Sequence, residues 1–216
     1  MGGRGASSYG AVGGGGYMAA AKNANALFVE GRPPIGKEKE AAEIINSYNK
    51  VLKDFGMDRG TGFDKGVNSI FFDDETKVSA NTNGLGDLTI GNKELANPRK
   101  VAEGYFTADS HAGVGAHEAG HRVANLLLRK SMKGEKELKI ADARSKGKME
   151  KQIIKEATKR FGSNPSISKY GDKNSLEKVA EAVSDVYTNE NKANEYSKVI
   201  VNVMKDINNG KFKPRI

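Results

Sequence analysis

Gly113-Val114-Gly115-Ala116-His117-Glu118-Ala119-Gly120-His121-Arg122-Val123-Ala124-Asn125 is the stretch against which the rest of the chain is read. At its centre stands His-Glu-x-x-His. If 114–130 is a helix, about 100° of rotation per residue brings His117 and His121 within roughly 40° of each other, one turn apart. Two imidazoles on one face suit a single Zn²⁺. Glu118, one position round the helix, is then placed to hold a water rather than the ion. Gly120 inside this helix costs about 1 kcal/mol against alanine. That cost is repaid if another segment packs closely there, an approach that Ala119 and Ala124 also permit.

Composition sets the outer bounds. A chain of 216 residues is most simply one domain, 21–216, behind a tail, and is large enough to bury a core without crosslinks. With no cysteine, disulfides and thiol catalysis are excluded. No apolar run reaches membrane-spanning length, and the first residues lack the pattern of a signal peptide. The expected location is cytoplasmic or phage-associated. Met1-Gly2 does not announce a myristoyl anchor, because position 6 is Ala6. The net charge of +8 is spread among acids, as in Lys37-Glu38-Lys39-Glu40. Such mixing marks a solvated helix face, so neither nucleic acid nor membrane is the expected partner.

Residues 1–20 are rich in glycine and read as a flexible tail. From 37 to 55, Ala41, Ile44, Ile45, Tyr48, Val51 and Leu52 recur at helical spacing. Residues 57–100 alternate turn signals with short candidate strands at 67–73, 77–81 and 87–90. Gly60-x-Gly62 is too short for a phosphate loop. A break at Asn97-Pro98 precedes a helical turn expected at 100–106. Downstream, 135–161 reads as one long charged helix interrupted by Gly147, followed by helices at 175–189 and 191–208.

A catalytic zinc site needs a third protein ligand. The chain has only three histidines, His111, His117 and His121. His111, in a Ser-His-Ala-Gly stretch, reads as an exposed loop residue. The third ligand must therefore be a carboxylate, and Glu177, Glu181 and Asp185 share one polar helix face. Glu177 also has a structural reading, as the N3 partner of an Asn174 cap. Glu181 and Asp185 could equally be the wet side of an amphipathic helix.

The segment from Ile167 to Ala182 resembles the second motif of zincin metallopeptidases related to anthrax lethal factor and the bacterial Pro-Pro endopeptidases. In that group a tyrosine precedes the glutamate ligand by seven residues and a second glutamate follows one turn later. Tyr170, Glu177 and Glu181 fit both spacings. The resemblance spans two short motifs, roughly 109–128 and 166–190, and implies Glu177 as the third zinc ligand, Tyr170 as the oxyanion donor and Glu181 as a neighbouring carboxylate. The broader gluzincin pattern, Glu-x-x-x-Asp, can instead be laid on Glu181 and Asp185, making Glu181 the ligand. The Gly-rich start beside a zincin module is also similar to proteins encoded on phages and mobile elements.

The expected fold is α+β and zincin-like: a small, mostly antiparallel sheet, a metal-carrying helix and a C-terminal helical lobe. Strand 87–90 is expected to be the edge that aligns an extended peptide. The expected activity is zinc-dependent endopeptidase cleavage of a peptide or protein, with Glu118 as general base and Tyr170 stabilising the oxyanion. Two other classes compete. One is an inactive zincin serving as a binding or structural module; the other is a basic nucleic-acid-associated protein.

Overall fold

The computed structural model describes residues 15–98 and 102–216. The elements run α1 (Gly15–Asn23), β1 (Phe28–Glu30), α2 (Glu38–Asp54), β2 (Ser69–Asp73), β3 (Ala80–Thr82), β4 (Leu88–Gly91), α3 (Asn92–Ala96), α4 (His111–Ser131), α5 (Glu137–Ser145), α6 (Lys148–Phe161), α7 (Ser175–Asn189) and α8 (Glu195–Asn208). The class is α+β. Among the described residues no helix is long and apolar enough to cross a membrane.

The sheet has the order β1-β2-β4-β3, with β1 parallel to β2, β2 parallel to β4, and only β3 antiparallel to its neighbour. The mostly antiparallel sheet expected from sequence is therefore corrected. Short strands between turn signals look like successive hairpins. Here, however, helix α2 carries the chain from β1 to β2 as a crossover, which makes that pair parallel. β1 itself is a three-residue strand that sequence reading missed. The expected edge strand is also corrected: β4 is paired on both sides, and the edge beside the metal-motif helix is β3.

Helix α4 crosses the middle of the molecule. Ser110 caps its start, the Ser110 hydroxyl accepting from the Gly113 amide at 3.0 Å. His111 is thus the first helical residue rather than part of a loop. α2 packs against α4 at Gly115, where a Cβ would lie 2.1 Å from the Ile44 carbonyl oxygen. α7 packs against it at Gly120, where a Cβ would lie 2.8 Å from the Ala180 Cα. The close approach expected from Gly120 is observed, and the partner is α7. The apolar stripe of α2 fills the layer between, with Ile44, Ile45, Tyr48, Val51 and Leu52 buried.

Other boundaries differ from expectation for local reasons. Of the expected tail, 1–14 lie outside the described residues, while 15–20 begin α1, whose Ala20 and Ala21 are buried. The long charged helix is two helices, because Gly147 adopts φ +57° between α5 and α6. Lys100 and Val101 of the expected turn at 100–106 lie outside the described residues, and Ala102 to Phe106 form no helix. The last helix begins at Glu195 instead of 191, since Asn194 caps it after a short 3₁₀ turn, Glu190–Lys192.

Candidate metal centre

Helices α4 and α7 bring three donor atoms together. His117 Nε2 lies 3.2 Å from Glu177 Oε2, His121 Nε2 lies 3.5 Å from the same oxygen, and the two imidazole nitrogens are 3.2 Å apart. His117, His121 and Glu177 thus form a group that could hold a metal ion. The spacing bears on which ion. A tetrahedral centre with bonds of about 2.0–2.1 Å separates its ligand atoms by about 3.3–3.4 Å. All three observed separations fall on either side of that value within 0.2 Å. Glu177 Oε2 is moreover buried without a hydrogen-bond partner. A carboxylate oxygen desolvated this way is costly unless a cation meets it.

The cap reading and the ligand reading of Glu177 separate here. Its amide donates to Asn174 Oδ1 at 3.0 Å, so the backbone half of the cap forms. Its carboxylate turns to the imidazoles instead of closing the box. Burial alone would raise the Glu177 pKa; the adjoining His117 and His121 imidazoles outweigh it and hold the group well below the usual carboxylate range.

Glu181 has a different task. Its Oε1 faces His117 Nδ1 at 2.8 Å, while its Oε2 accepts from the Thr107 amide at 2.7 Å and the Ser168 hydroxyl at 2.9 Å. An ionised carboxylate only accepts, so Nδ1 carries the proton and Nε2 is the nitrogen left for a metal. Burial raises the Glu181 pKa, and the His117 contact more than reverses this. For His117, burial disfavours the imidazolium, but the Glu177 and Glu181 carboxylates prevail and raise its pKa to about 10. Asp185 touches neither histidine. It accepts from Asn189 Nδ2 and the Asn194 amide, and so anchors the turn before α8.

Glu118 is 8% exposed. Burial raises its pKa, opposed by the neighbouring His121 and His117 and by the backbone amide of Thr82 on β3. Tyr170 stands on the other side, its ring centroid 5.7 Å from that of His117. Its phenol is pushed up to about 12 by burial, with the Glu177 and Glu118 carboxylates adding to the effect. Phe106 and Tyr105 extend this aromatic wall, at 5.0 and 5.7 Å from Tyr170. Lys173 Nζ lies 4.0 Å from the Tyr170 ring centroid.

The close backbone approach at Gly120 and Ala180 occurs between these donors: His117 and His121 flank Gly120, and Glu177 and Glu181 flank Ala180. Backbone packing, more than side-chain reach, therefore sets the spacing of the cluster. His111 stays apart, 3.8 Å from Glu43 on α2. Sequence reading missed Thr82, Thr107, Ser168 and Arg122. Arg122, 1% exposed, donates to the carbonyls of Gly66 at 3.2 Å, Gly84 at 2.8 Å and Phe63 at 2.9 Å, and to that of Lys65. It ties the β3–β4 hairpin and the loop before β2 to α4. None of these contacts leaves a residue pattern; the quoted Ile167-to-Ala182 segment contains Ser168, but its role depends on the fold.

No protein-family model, no curated protein and no solved structure matches this chain. Two cavities, of about 370 and 740 Å³, are lined by residues of α1, α2 and the chain around β1, none of them a member of the cluster.

Proposed function

We propose that the chain is a zinc-dependent endopeptidase of zincin type, with His117, His121 and Glu177 holding the ion. The observation that carries this reading is the set of three donor atoms at near-tetrahedral spacing around an otherwise unpartnered carboxylate oxygen. The general plan supports it too: one antiparallel edge strand lies beside the metal-motif helix, and a helical C-terminal lobe brings the carboxylate. In this reading the motif Glu177-x-x-x-Glu181 corresponds to ligand and orienting residue, with Glu181 fixing the His117 tautomer.

A zinc ion in this position supplies Lewis acidity to a water and to the scissile carbonyl. Glu118 accepts the proton of the attacking water and returns it to the leaving amine. Tyr170, whose raised pKa keeps the phenol protonated, donates to the developing oxyanion. The open edge of β3, whose Thr82 adjoins Glu118, offers ladder positions to an extended peptide.

The test pairs two variants. Glu118→Gln should retain about one zinc per chain while losing activity by about 10²-fold or more; Glu177→Ala should lose the zinc. Elemental analysis and a peptide-library assay read both. Zinc-loaded Glu118→Gln cleaving at the wild-type rate would remove the mechanism. Wild type that binds zinc and cleaves nothing would favour a non-catalytic binding module.

A further inference from the structure

One carboxylate oxygen joins the two loops that flank the cluster. Glu181 Oε2 accepts from the Thr107 amide of the loop before α4, at 2.7 Å, and from the Ser168 hydroxyl of the loop before α7, at 2.9 Å. The loops also meet directly. The Lys169 amide donates to the Gly104 carbonyl at 3.2 Å, and the Tyr170 amide to the Tyr105 carbonyl at 2.9 Å. The other oxygen of the same carboxylate, Oε1, faces His117 Nδ1 at 2.8 Å.

Ser168 is where this network turns toward Tyr170. It is 5% exposed, and its hydroxyl has a single proton to give. An ionised carboxylate only accepts and a backbone amide only donates. The hydroxyl therefore donates to Glu181 and accepts from the buried Gly171 amide, at 2.9 Å. The Asp172 amide donates to the Ser168 carbonyl at 3.1 Å and closes the turn around Tyr170. A Cβ built on Gly171 would lie 3.1 Å from Ser168 Oγ and 3.4 Å from Glu181 Cβ, so the turn rests directly on Glu181. Tyr170, between these contacts, has its ring centroid 5.7 Å from that of His117. A run of hydrogen bonds thus leads from the His117 imidazole through Glu181 and Ser168 to the backbone on either side of Tyr170. A buried polar network in which each group has its partner acts as a unit.

We propose that Ser168 is a positioning residue that couples the carboxylate orienting His117 to the turn presenting Tyr170. The proposal rests on the zinc-peptidase reading, in which His117 is a ligand and Tyr170 the oxyanion donor. It adds that the two roles are held in register by one hydroxyl. Without that hydroxyl the Gly171 amide loses its acceptor and Glu181 loses a donor, so the turn is no longer tied to the metal side.

Two double-mutant cycles on the full chain test this. The first compares cleavage of a library-derived peptide by zinc-loaded wild type, Ser168→Ala, Tyr170→Phe and the double variant. Ser168→Ala should lower kcat about 10-fold with KM unchanged, the low end for a hydrogen bond to a charged group. It should cost nothing further once Tyr170 is replaced by phenylalanine. Ser168→Cys, a weaker donor of similar shape, should fall between serine and alanine. The second cycle reads zinc affinity by competition with a chromophoric chelator. Ser168→Ala should weaken it about 10-fold in wild type and leave it unchanged in Glu181→Ala, while Tyr170→Phe alone has no effect. Equal kcat losses with and without the Tyr170 hydroxyl would overturn the proposal, as would equal affinity losses with and without Glu181; either leaves the peptidase reading standing. Zinc-loaded wild type that cleaves nothing would overturn both.

Discussion

The His117 flank and the His121 flank of the cluster are built to different standards. Around His117 every donor has its acceptor: Nδ1 meets Glu181, Glu181 is also held by Thr107 and Ser168, and an aromatic wall closes the side. On the His121 side, Asn125 Oδ1, one turn further along α4, is buried without a hydrogen-bond partner. One flank fixes the geometry of the donors. The other leaves the Asn125 acceptor open. A polar network that is fully satisfied rigidifies the side chains it joins.

The sharpest way to break this contrast is through zinc affinity. Glu181→Gln should weaken it about 10- to 100-fold, the usual cost of losing the group that orients a ligating imidazole. Asn125→Ala should leave it unchanged. A competition titration against a chromophoric chelator separates the two, and equal losses would erase the distinction between the flanks.

Protons give a second measure of comparable size. In the metal-free protein His117 is an imidazolium at neutral pH, its pKa raised to about 10. Zinc needs the Nε2 lone pair, so uptake at pH 7 should release about one proton, and affinity should rise about ten-fold per pH unit up to that value. Calorimetry in buffers of different ionisation enthalpy counts the proton. Stability of the metal-free fold follows the same group in the opposite sense. The His117 contribution is fully present below the unfolded pKa of about 6.5 and is lost as pH rises toward 10. Denaturation midpoints of the chelated protein should fall across that window; midpoints flat from pH 6.5 to 10 would show that the carboxylates do not hold the proton.

The smallest effect belongs to the unfinished flank. Burial raises the Glu150 pKa, with its own amide and His121 opposing. A raised carboxyl favours the fold below its unfolded pKa of about 4.5 and penalises it at neutral pH. Glu150→Gln should therefore raise the melting temperature at pH 7 by about 2–4 °C, and the gain should vanish in acid. A lower melting temperature for the variant would mean that the carboxylate already has its native partner.

Legibility in the sequence followed locality. Helix α7 was readable to both ends, since its cap Asn174 and its apolar spacing lie inside the segment. The His117–His121 pair was readable for the same reason. The direction of strand pairing was not, because β1 has only three residues and its parallel partner lies beyond α2. Sequence left two registers open for the carboxylates; the contacts that distinguish them come from Thr107 and Ser168, 74 and 13 residues from Glu181. Glu150 gave no signal at all, for a charged residue in a charged helix looks solvated until the packing around it is seen.

Arg122 carries a consequence for how the molecule assembles. Its hydrogen bonds reach back 38 to 59 residues, to the hairpin turn and to the loop before β2. Such contacts repay their loop-closure entropy only after α4 exists as a docking surface. The hairpin thus docks on α4 late, and until then the outer edge of β3, paired on its other side with β4, keeps open backbone groups. The same edge that would receive a peptide in the native protein is, during folding, the part of the chain most exposed to pairing with another copy.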